Sequence, residues 1–201
     1  MYEVIGRPNS RAFRIMWMLE ELGEDYALTN AGPHSKEIYA ANPSGKIPAM
    51  RDGEHTLTQS VAIMTYLADK HGAMTAKPGT VDRAHQDAVV HMLLDEFESP
   101  LWTFERMSGL YPEARRVPEA KDTLQWEFMR NVPRLVETLK GPFLMGDTMT
   151  IADILCTSCL NWAIHDKFPV EDPKLTDYVK AMTNRPAFLT ARKKGMAAMQ
   201  A

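Results

Sequence analysis

Hydrophobic residues in the first seventy positions alternate between the periods of strands and helices. Residues 2–5 (YEVI) form a short β-like run, and apolar residues recur at helical spacing between Ser10 and Gly23. Ser10 is the expected N-cap and Gly23 the expected stop. Residues 25–30 (DYALTN) favour a second strand. A strand-helix-strand unit this short predicts a parallel pair with a right-handed crossover.

The same alternation continues to Gly72. Residues 35–41 favour a weak helical turn, and Asn42-Pro43-Ser44-Gly45 is a turn cluster. Residues 46–58 (KIPAMRDGEHTLT) predict two strands joined at a tight Asp52-Gly53 hairpin. Residues 60–71 predict a helix. The expected order is therefore β-α-β-(α)-β-β-α.

Only helical patterns follow a linker at residues 73–80. A long helix at 81–110 should kink near Pro100. Further helices are expected at 124–139, 151–164, 175–182 and 186–194. Ten of the fourteen residues at 151–164 are apolar, which predicts a helix buried on nearly every side. The pattern predicts an α/β domain at 1–72, the linker and an all-helical domain at 81–201.

The most apolar of these helices has a specific start signal. In Thr150-Ile-Ala-Asp153, the Thr150 hydroxyl can accept from the Asp153 amide while the Asp153 carboxylate accepts from the Thr150 amide. Met149 before this capping box and Ile154 within the helix can form a hydrophobic staple. Together they predict a sharply defined helix start.

Composition and charge narrow the function. The 201 residues are 45% hydrophobic and 24% charged, which is typical of a folded soluble protein. The 23 basic and 26 acidic residues give a net charge of -3, which favours neither nucleic acid nor an anionic membrane as partner. The sequence has neither an 18-residue apolar run nor a signal-peptide pattern, so a cytoplasmic location is expected.

Ile47-Pro48 is the first candidate for chemistry. Proline removes a ladder donor, so Pro48 belongs at the first residue of a strand or at an edge. If the bond is cis, the N-H and C=O of Ile47 are free to pair with an extended peptide. The alternative is an ordinary trans proline in a turn.

Two predicted helix N-termini are candidates for binding charge. Ser60 would cap a helix whose free amides suit a carboxylate, and Gln59 would then contact a neighbouring amine. At Ser10, a hydroxyl and backbone amides would stabilise a thiolate, and each pKa unit by which a thiol is lowered corresponds to about 1.36 kcal/mol. For both serines the alternative is simple capping.

Four segments together resemble the cytosolic glutathione transferases over essentially the whole chain. They are NSRAFRIMWMLEELGEDY (9–26), NPSGKIPAM (42–50), DGEHTLTQSVAIMTYLADKHG (52–72) and GDTMTIADIL (146–155). The NSRAFR and LEELG segments are similar to bacterial and fungal members that use a hydroxyl or an amide in place of a cysteine. The resemblance implies a thioredoxin-like N-terminal domain, a helical C-terminal bundle, a homodimer, glutathione as co-substrate and no metal.

The resemblance also implies roles for single residues near the thiol. Ser10 or its neighbour Asn9 would hydrogen-bond the glutathione sulfur, with Ser10 favoured. Ile47, held by Pro48, would pair with the cysteinyl backbone.

The two ends of glutathione would be held by further residues. Gln59 and Ser60 would bind the γ-glutamyl group, where family members more often have Glu at the place of Gln59. Lys46 and His34 are candidates for the glycyl carboxylate. Asp95 or Glu96 would reach the γ-glutamyl amine across a dimer, although charges on an amphipathic helix usually form a solvated face.

The two cysteines lie away from this expected site. Gly6 and Arg7 stand at the end of the first strand, where some classes have cysteine or tyrosine, so classes that form a mixed disulfide are disfavoured. Cys156 and Cys159 have C-x-x-C spacing inside the most apolar helix, where cysteines behave as small hydrophobes. Only two cysteines also favour a reducing compartment.

The function expected from the resemblance is attack of the glutathione thiolate on a small hydrophobic electrophile. Trp102, Phe104 and Met107 are candidates for the wall of the electrophile pocket, with core packing as the alternative. Glutathione-dependent reduction of peroxides or disulfides is a second expectation. A non-catalytic binding or dimerisation module is a third, because a fold does not fix a function.

Overall fold

The computed structural model describes residues 1–200, which form two compact units. One unit contains Met1–Thr75 together with residues 182–200, and the other contains Ala76–Ala181. The first holds a four-stranded sheet with helices, and the second holds helices and one isolated bridge between Phe143 and Gly146. This architecture confirms the predicted fold class. The domain bounds derived from the sequence, 1–72, 73–80 and 81–201, stay predictions.

The sheet of the first unit is ordered β2-β1-β3-β4. β1 runs parallel to β2 and antiparallel to β3, and β3 pairs antiparallel with β4. The parallel first pair and the following hairpin confirm the predicted order. The strands are β1 (Tyr2–Ile5), β2 (Tyr26–Thr29), β3 (Ala49–Asp52) and β4 (His55–Thr58).

Four helices accompany this sheet. They are α1 (Ala12–Leu22), α2 (Lys36–Tyr39), α3 (Ser60–His71) and, from the end of the chain, α9 (Pro186–Gln200). α1 is buried along most of its length, with Ile15, Met16, Met18 and Leu19 fully enclosed. It forms the centre of this unit's core.

The predicted N-caps of α1 and α3 were wrong by one residue. Arg11 occupies the N-cap position of α1, because Ser10 belongs to a preceding tight turn in which its amide donates to the Arg7 carbonyl at 3.0 Å. Gln59 occupies the N-cap position of α3, and Ser60 is its first helical residue. Neither N-cap residue caps its helix with a side chain.

The second unit is built from five further α-helices. They are α4 (Val81–Met92), α5 (Ser99–Glu105), α6 (Ala120–Thr138), α7 (Ile151–His165) and α8 (Pro173–Thr183), of which α8 ends at the boundary between the units. No helix within residues 1–200 is both long and apolar enough to cross a membrane.

The long helix changes its winding just before Pro100, where the sequence predicts a kink, and the kink itself stays a prediction. Residues 93–98, between α4 and α5, are π-helical, and Ser99 donates to the carbonyl of Leu94 five residues back. Pro100 has no N-H for the carbonyl of Glu96, which would be its partner in a regular α-helix. A wider turn is one way to accommodate that missing donor, and a second π-helical segment follows at residues 106–110.

The capping box of α7 is confirmed. The Asp153 carboxylate accepts from the Thr150 amide at 2.8 Å, and it also accepts from the Leu144 amide at 2.8 Å and the Tyr178 hydroxyl at 2.9 Å. Burial raises the pKa of Asp153, while these hydrogen bonds act in the opposite direction. Ten residues of α7 are buried, which confirms the predicted enclosure.

Candidate functional site

Gly6 lies where three parts of the first unit converge. A Cβ built at Gly6 would lie 3.0 Å from the Cβ of Ala12, 3.4 Å from the Cβ of Ile47 and 3.5 Å from the Cα of Pro48. Its φ of 155° is also unfavourable for other residues. The absence of a side chain at the end of β1 therefore lets the Ile47-Pro48 segment approach the start of α1.

The Ile47-Pro48 bond is cis, one of the two alternatives that the sequence leaves open. The Ile47 side chain packs against a buried cluster formed by Ile5, Ala31, Ile38 and Ala49. Within residues 1–200, neither the N-H nor the C=O of Ile47 forms a hydrogen bond with another residue. The side chain thus anchors the segment while the backbone keeps a free donor and a free acceptor.

The turn before Lys46 is organised by Asn42, the first residue of the predicted turn cluster. Asn42 donates through Nδ2 to the Lys46 carbonyl at 2.7 Å and accepts at Oδ1 from the Ser44 amide at 3.1 Å. Asparagine at the start of a turn commonly bonds its own backbone two residues on, so Asn42-Pro43 carried a usable signal. Lys46 itself is exposed.

His34 lies beside this turn. Its amide donates to the Gly45 carbonyl at 2.8 Å, and its Nδ1 is 2.9 Å from the hydroxyl of Tyr39. The φ of His34 is 62°, an uncommon conformation for a residue with a side chain. The structure therefore brings His34 next to the Gly45-Lys46 peptide, and Tyr39 is a neighbour that sequence reasoning missed.

Gln59 and Ser60, at the N-terminus of α3, form another part of the candidate site, the Gln59-Ser60 cradle. Gln59 has φ 68° and ψ 111°, a backbone conformation that costs a non-glycine residue about 1–3 kcal/mol and that recurs at functional sites. Its side chain is exposed, whereas Ser60 is buried. The α3 N-terminus leaves backbone amides available near both residues.

A buried arginine supports this cradle from α1. Arg14 is 1% exposed, and its Nη1 donates to the Ser60 hydroxyl at 3.4 Å. α1 therefore contacts the Gln59-Ser60 cradle through Arg14 and approaches Gly6 through Ala12. Arg14 was not identified from the sequence, because a single arginine in an apolar helix pattern gives no sign of its partner.

Asn9 and Ser10 differ in their present hydrogen bonding. The Ser10 hydroxyl donates to the Arg7 carbonyl at 2.6 Å and accepts from the Ala12 amide at 3.2 Å. Asn9 is exposed, and its side chain forms no hydrogen bond within the described residues 1–200. Both lie in the loop that leads from Gly6 to α1, so both stay candidates for the thiol.

The three residues predicted for an electrophile pocket lie in the second unit. Trp102, Phe104 and Met107 are all half-buried. The Trp102 ring is edge-on to Trp162 at 6.4 Å between centroids, and Phe104 is edge-on to Phe168 at 5.7 Å. These aromatic contacts fit the core-packing alternative, and a pocket role stays a prediction.

The same unit carries an open groove of about 660 Å³ along α4 and the π-helical segment that follows. Glu96 on this groove forms an ion pair with Arg134, and Asp95 is exposed. The groove is lined by Ala88, His91, Met92, Leu94, Asp95, Glu96 and Ser99.

Cys156 and Cys159 are buried in α7, with 0% and 1% of their surfaces exposed. Burial raises the pKa of the Cys156 thiol well above its ordinary value, and nearby Cys159 and Asp153 add to the effect. A protonated, enclosed thiol is a poor nucleophile.

Both halves of the chain match models of one protein family. The model of the glutathione S-transferase N-terminal domain matches residues 2–69, and that of the C-terminal domain matches residues 81–186. The chain is 29% identical over 190 residues to the glutathione S-transferase-like protein OpS6 of Beauveria bassiana, covering 87% of this chain and 86% of that protein. It is 27% identical over 179 residues to glutathione S-transferase GstA of Escherichia coli O157:H7, covering 84% and 86%.

One relative carries a different name. Elongation factor 1-gamma 3 of Oryza sativa is 26% identical over 196 residues, which cover 91% of this chain and 46% of that protein.

Solved structures show the same fold. A glutathione transferase from Methylococcus capsulatus superposes with a TM-score of 0.87 at 23% identity, covering 98% of this chain and 100% of that chain. Glutathione transferase URE2P8 from Phanerochaete chrysosporium, solved with oxidized glutathione, has a TM-score of 0.86 at 23% identity, covering 100% and 97%. With both domain models matched in order, the chain belongs to the glutathione S-transferase family.

Proposed function

We propose that this protein is a glutathione transferase that conjugates the glutathione thiolate to a small hydrophobic electrophile. The observation that carries the proposal is the convergence at Gly6, where Ile47-Pro48 approaches the N-terminal turn of α1. A tripeptide paired with the free Ile47 backbone would have its thiol next to the loop of Asn9 and Ser10. Proximity and ionisation of the thiol would then supply most of the catalysis.

The two ends of glutathione fit the remaining candidates. The γ-glutamyl carboxylate would bind at the N-terminus of α3, where free amides and the helix dipole favour an anion. The exposed Gln59 amide would accept from the γ-glutamyl ammonium. The glycyl carboxylate would lie near Lys46 and His34, two exposed residues brought together by the bond from the His34 amide to the Gly45 carbonyl.

The thiolate stabiliser in this proposal is Ser10 or Asn9, as in the bacterial and fungal members that do without an active-site cysteine. Both cysteines are enclosed in α7, which supports this assignment. Trp102, Phe104 and Met107 are proposed for the electrophile wall.

The protein is proposed to act as a homodimer. The groove along α4 presents Met92 and Leu94 beside His91 and Asp95, a mixed surface of the kind that associating proteins bury. In that dimer, Asp95 of one copy would reach the γ-glutamyl amine bound by the other. Light scattering of the purified protein should give the mass of two chains, and the mass of one chain would contradict the proposed dimer.

The test of the proposed reaction is glutathione conjugation to an activated aromatic halide. The wild-type protein should form the thioether, and Ser10→Ala or Asn9→Ala should slow it. If both variants keep the wild-type rate, the assigned thiol site is wrong. A peroxide-reduction assay under the same conditions tests the alternative chemistry, and turnover there alone would replace conjugation as the reaction.

A non-catalytic module is the second candidate, favoured by the similarity to elongation factor 1-gamma over 91% of this chain. In that case the transferase fold would serve binding or assembly. Titration calorimetry separates the two, because an enzyme working with cellular glutathione should bind it at millimolar concentration or below. No heat of binding at that concentration would favour the module.

A further inference from the structure

The C-terminal helix α9 is fixed against α1 by charged and aromatic contacts within the first unit. Glu21 accepts two hydrogen bonds from Arg185 at 2.6 and 2.7 Å, and Glu20 pairs with Lys194 at 2.6 Å. The buried Phe188 ring sits edge-on to Trp17, with 5.0 Å between centroids. A helix held at its N-terminal end and again near its middle cannot shift freely when one of its residues changes size.

Gly195 is the point at which this helix meets the loop before α1. A Cβ at Gly195 would lie 2.9 Å from the Cβ of Pro8 and 3.5 Å from the terminal methyl of Met16. Carbon atoms pack at about 3.5–4.0 Å, so the first of these distances leaves no room for a side chain. Both Gly195 and Pro8 are buried.

Pro8 cannot yield as a flexible side chain would. Its Cβ belongs to a ring that is closed on the backbone, so displacing this atom displaces the loop itself. Asn9 and Ser10 follow directly in the chain. A displacement of α9 at residue 195 would therefore displace Asn9 and Ser10, the two candidates for stabilising the thiolate, through this one buried contact.

We propose that Gly195 is a positioning residue for the thiol-binding loop, an inference that rests on the proposed transferase function. By allowing α9 to seat against Pro8, Gly195 sets the distance of Asn9 and Ser10 from the glutathione sulfur. Displacements of about 1 Å at a reacting centre can lower a rate by about a hundredfold. An added methyl group at residue 195 should thus impair ionisation of the bound thiol, although it touches no substrate.

The test compares Gly195→Ala with Thr190→Ala, an exposed change on the same helix. Both favour the helix by intrinsic propensity, so neither should unfold α9. In Gly195→Ala, kcat/KM for conjugation should fall about tenfold or more near neutral pH, and the acidic limb of its pH profile, where the rate rises with pH, should move to higher pH. The loss should shrink at alkaline pH, where the thiol ionises without help. Thr190→Ala should match the wild type.

A second comparison uses a protein in which the Pro8 Cβ, the atom that leaves no room at residue 195, has been removed. Pro8→Gly has no Cβ to meet residue 195, so adding Gly195→Ala to it should lower kcat/KM less than threefold. Equal losses in the two backgrounds would show that the contact does not carry the effect. If the wild-type enzyme is active and Gly195→Ala has the same pH profile of kcat/KM, the positioning role of Gly195 is wrong, while the proposed transferase function stands. If the wild-type protein binds no glutathione in calorimetry, the proposed function fails first and this role fails with it.

Discussion

The Ser10 hydroxyl donates to the Arg7 carbonyl oxygen at 2.6 Å, so its only proton is already engaged. To donate to a thiolate, Ser10 must release this bond. The Arg7 carbonyl would keep the 3.0 Å bond that it accepts from the Ser10 amide, which makes the release inexpensive. Asn9 has two amide protons and an exposed side chain, so it needs no such exchange.

Substitution of each residue separates the two candidates. If Ser10 is the donor, Ser10→Ala should raise the pKa of the bound thiol by about one unit, the equivalent of a net hydrogen bond of about 1.4 kcal/mol. Conjugation near neutral pH should then fall about tenfold, and Ser10→Thr should restore most of it. The thiolate absorbance of bound glutathione, followed against pH, measures the shift directly.

The same titration of bound glutathione in Asn9→Ala tests whether the Asn9 amide is the donor to the thiolate. A shift in Asn9→Ala with none in Ser10→Ala assigns the role to the amide. Asn131→Ala, a half-buried position on α6, is the asparagine control and should leave the titration unchanged.

The strained backbone at Gln59 predicts opposite effects on stability and binding. Glycine adopts the φ of 68° found at Gln59 without the energetic cost that glutamine bears there. In Gln59→Gly, the free energy of unfolding should therefore stay level or rise by about 1 kcal/mol. The KM for glutathione should rise, because the amide is lost. Gln125→Gly, inside α6, should instead lower the unfolding free energy by at least about 1 kcal/mol. Urea unfolding and initial-rate kinetics give both quantities.

Gln59→Glu should strengthen the γ-glutamyl contact. A carboxylate forms a charge-assisted hydrogen bond with an ammonium group, and such bonds are about twice as strong as neutral ones. We expect the KM for glutathione to fall several-fold, with kcat little changed. An unchanged or higher KM would remove Gln59 from the ammonium site.

Thr29 predicts a pH-dependent contribution to the stability of the sheet. Its hydroxyl donates to Glu3 at 2.7 Å, and this bond, with help from Arg51, holds the Glu3 pKa below its ordinary value of 4.5. A carboxylate with a lowered pKa stabilises the folded state above its unfolded pKa, and this contribution is lost as the pH falls through the folded one. Thr29→Val should therefore lower the unfolding free energy by about 1 kcal/mol at pH 7 and by progressively less below about pH 4.

Thr56→Val is the control for that experiment, since Thr56 is exposed on β4. Both variants exchange threonine for valine in a strand, so their intrinsic strand preferences change alike. A pH-independent loss in Thr29→Val would contradict the assignment to Glu3.

Tyr178→Phe probes the buried hydrogen-bond network at the start of α7. The Tyr178 hydroxyl donates to Asp153 at 2.9 Å, and the exposed fractions of the two residues are 4% and 0%. Removing one donor from an enclosed carboxylate should lower the unfolding free energy by about 1–3 kcal/mol. Tyr66→Phe removes a similar hydrogen bond to Asp52 from an exposed pair, and it should change the unfolding free energy by less than about 1 kcal/mol. Equal effects in urea unfolding would mean that burial does not amplify the bond.

Local pattern predicted the order of the elements along the first unit, the hairpin and the α7 capping box because each is encoded within a few residues. Thr150 and Asp153 are three positions apart, and their reciprocal bonds need no distant partner. The cis bond before Pro48 was considered only as a possibility, because its conformation depends on the packing of Ile47 in a cluster drawn from several elements.

The rest depended on contacts between residues far apart in sequence. The support of Ser60 by Arg14 and the packing of Gly195 against Pro8 join segments that no local period relates. The N-caps of α1 and α3 were missed for a related reason, although α3 begins at Ser60 as predicted. Serine is a common N-cap, but the turn at residues 8–11 and the positive φ of Gln59 place Arg11 and Gln59 at the two N-cap positions.

The enclosure of Cys156 and Cys159 in α7 has a practical consequence at the bench. The folded protein presents no accessible sulfhydryl within residues 1–200, so a chromogenic thiol reagent added to a reaction mixture counts glutathione alone. Loss of that colour over time then reports glutathione consumption with any electrophile, without a chromophoric product. The same reagent should begin to label the protein only as it unfolds, which gives a direct readout of global opening.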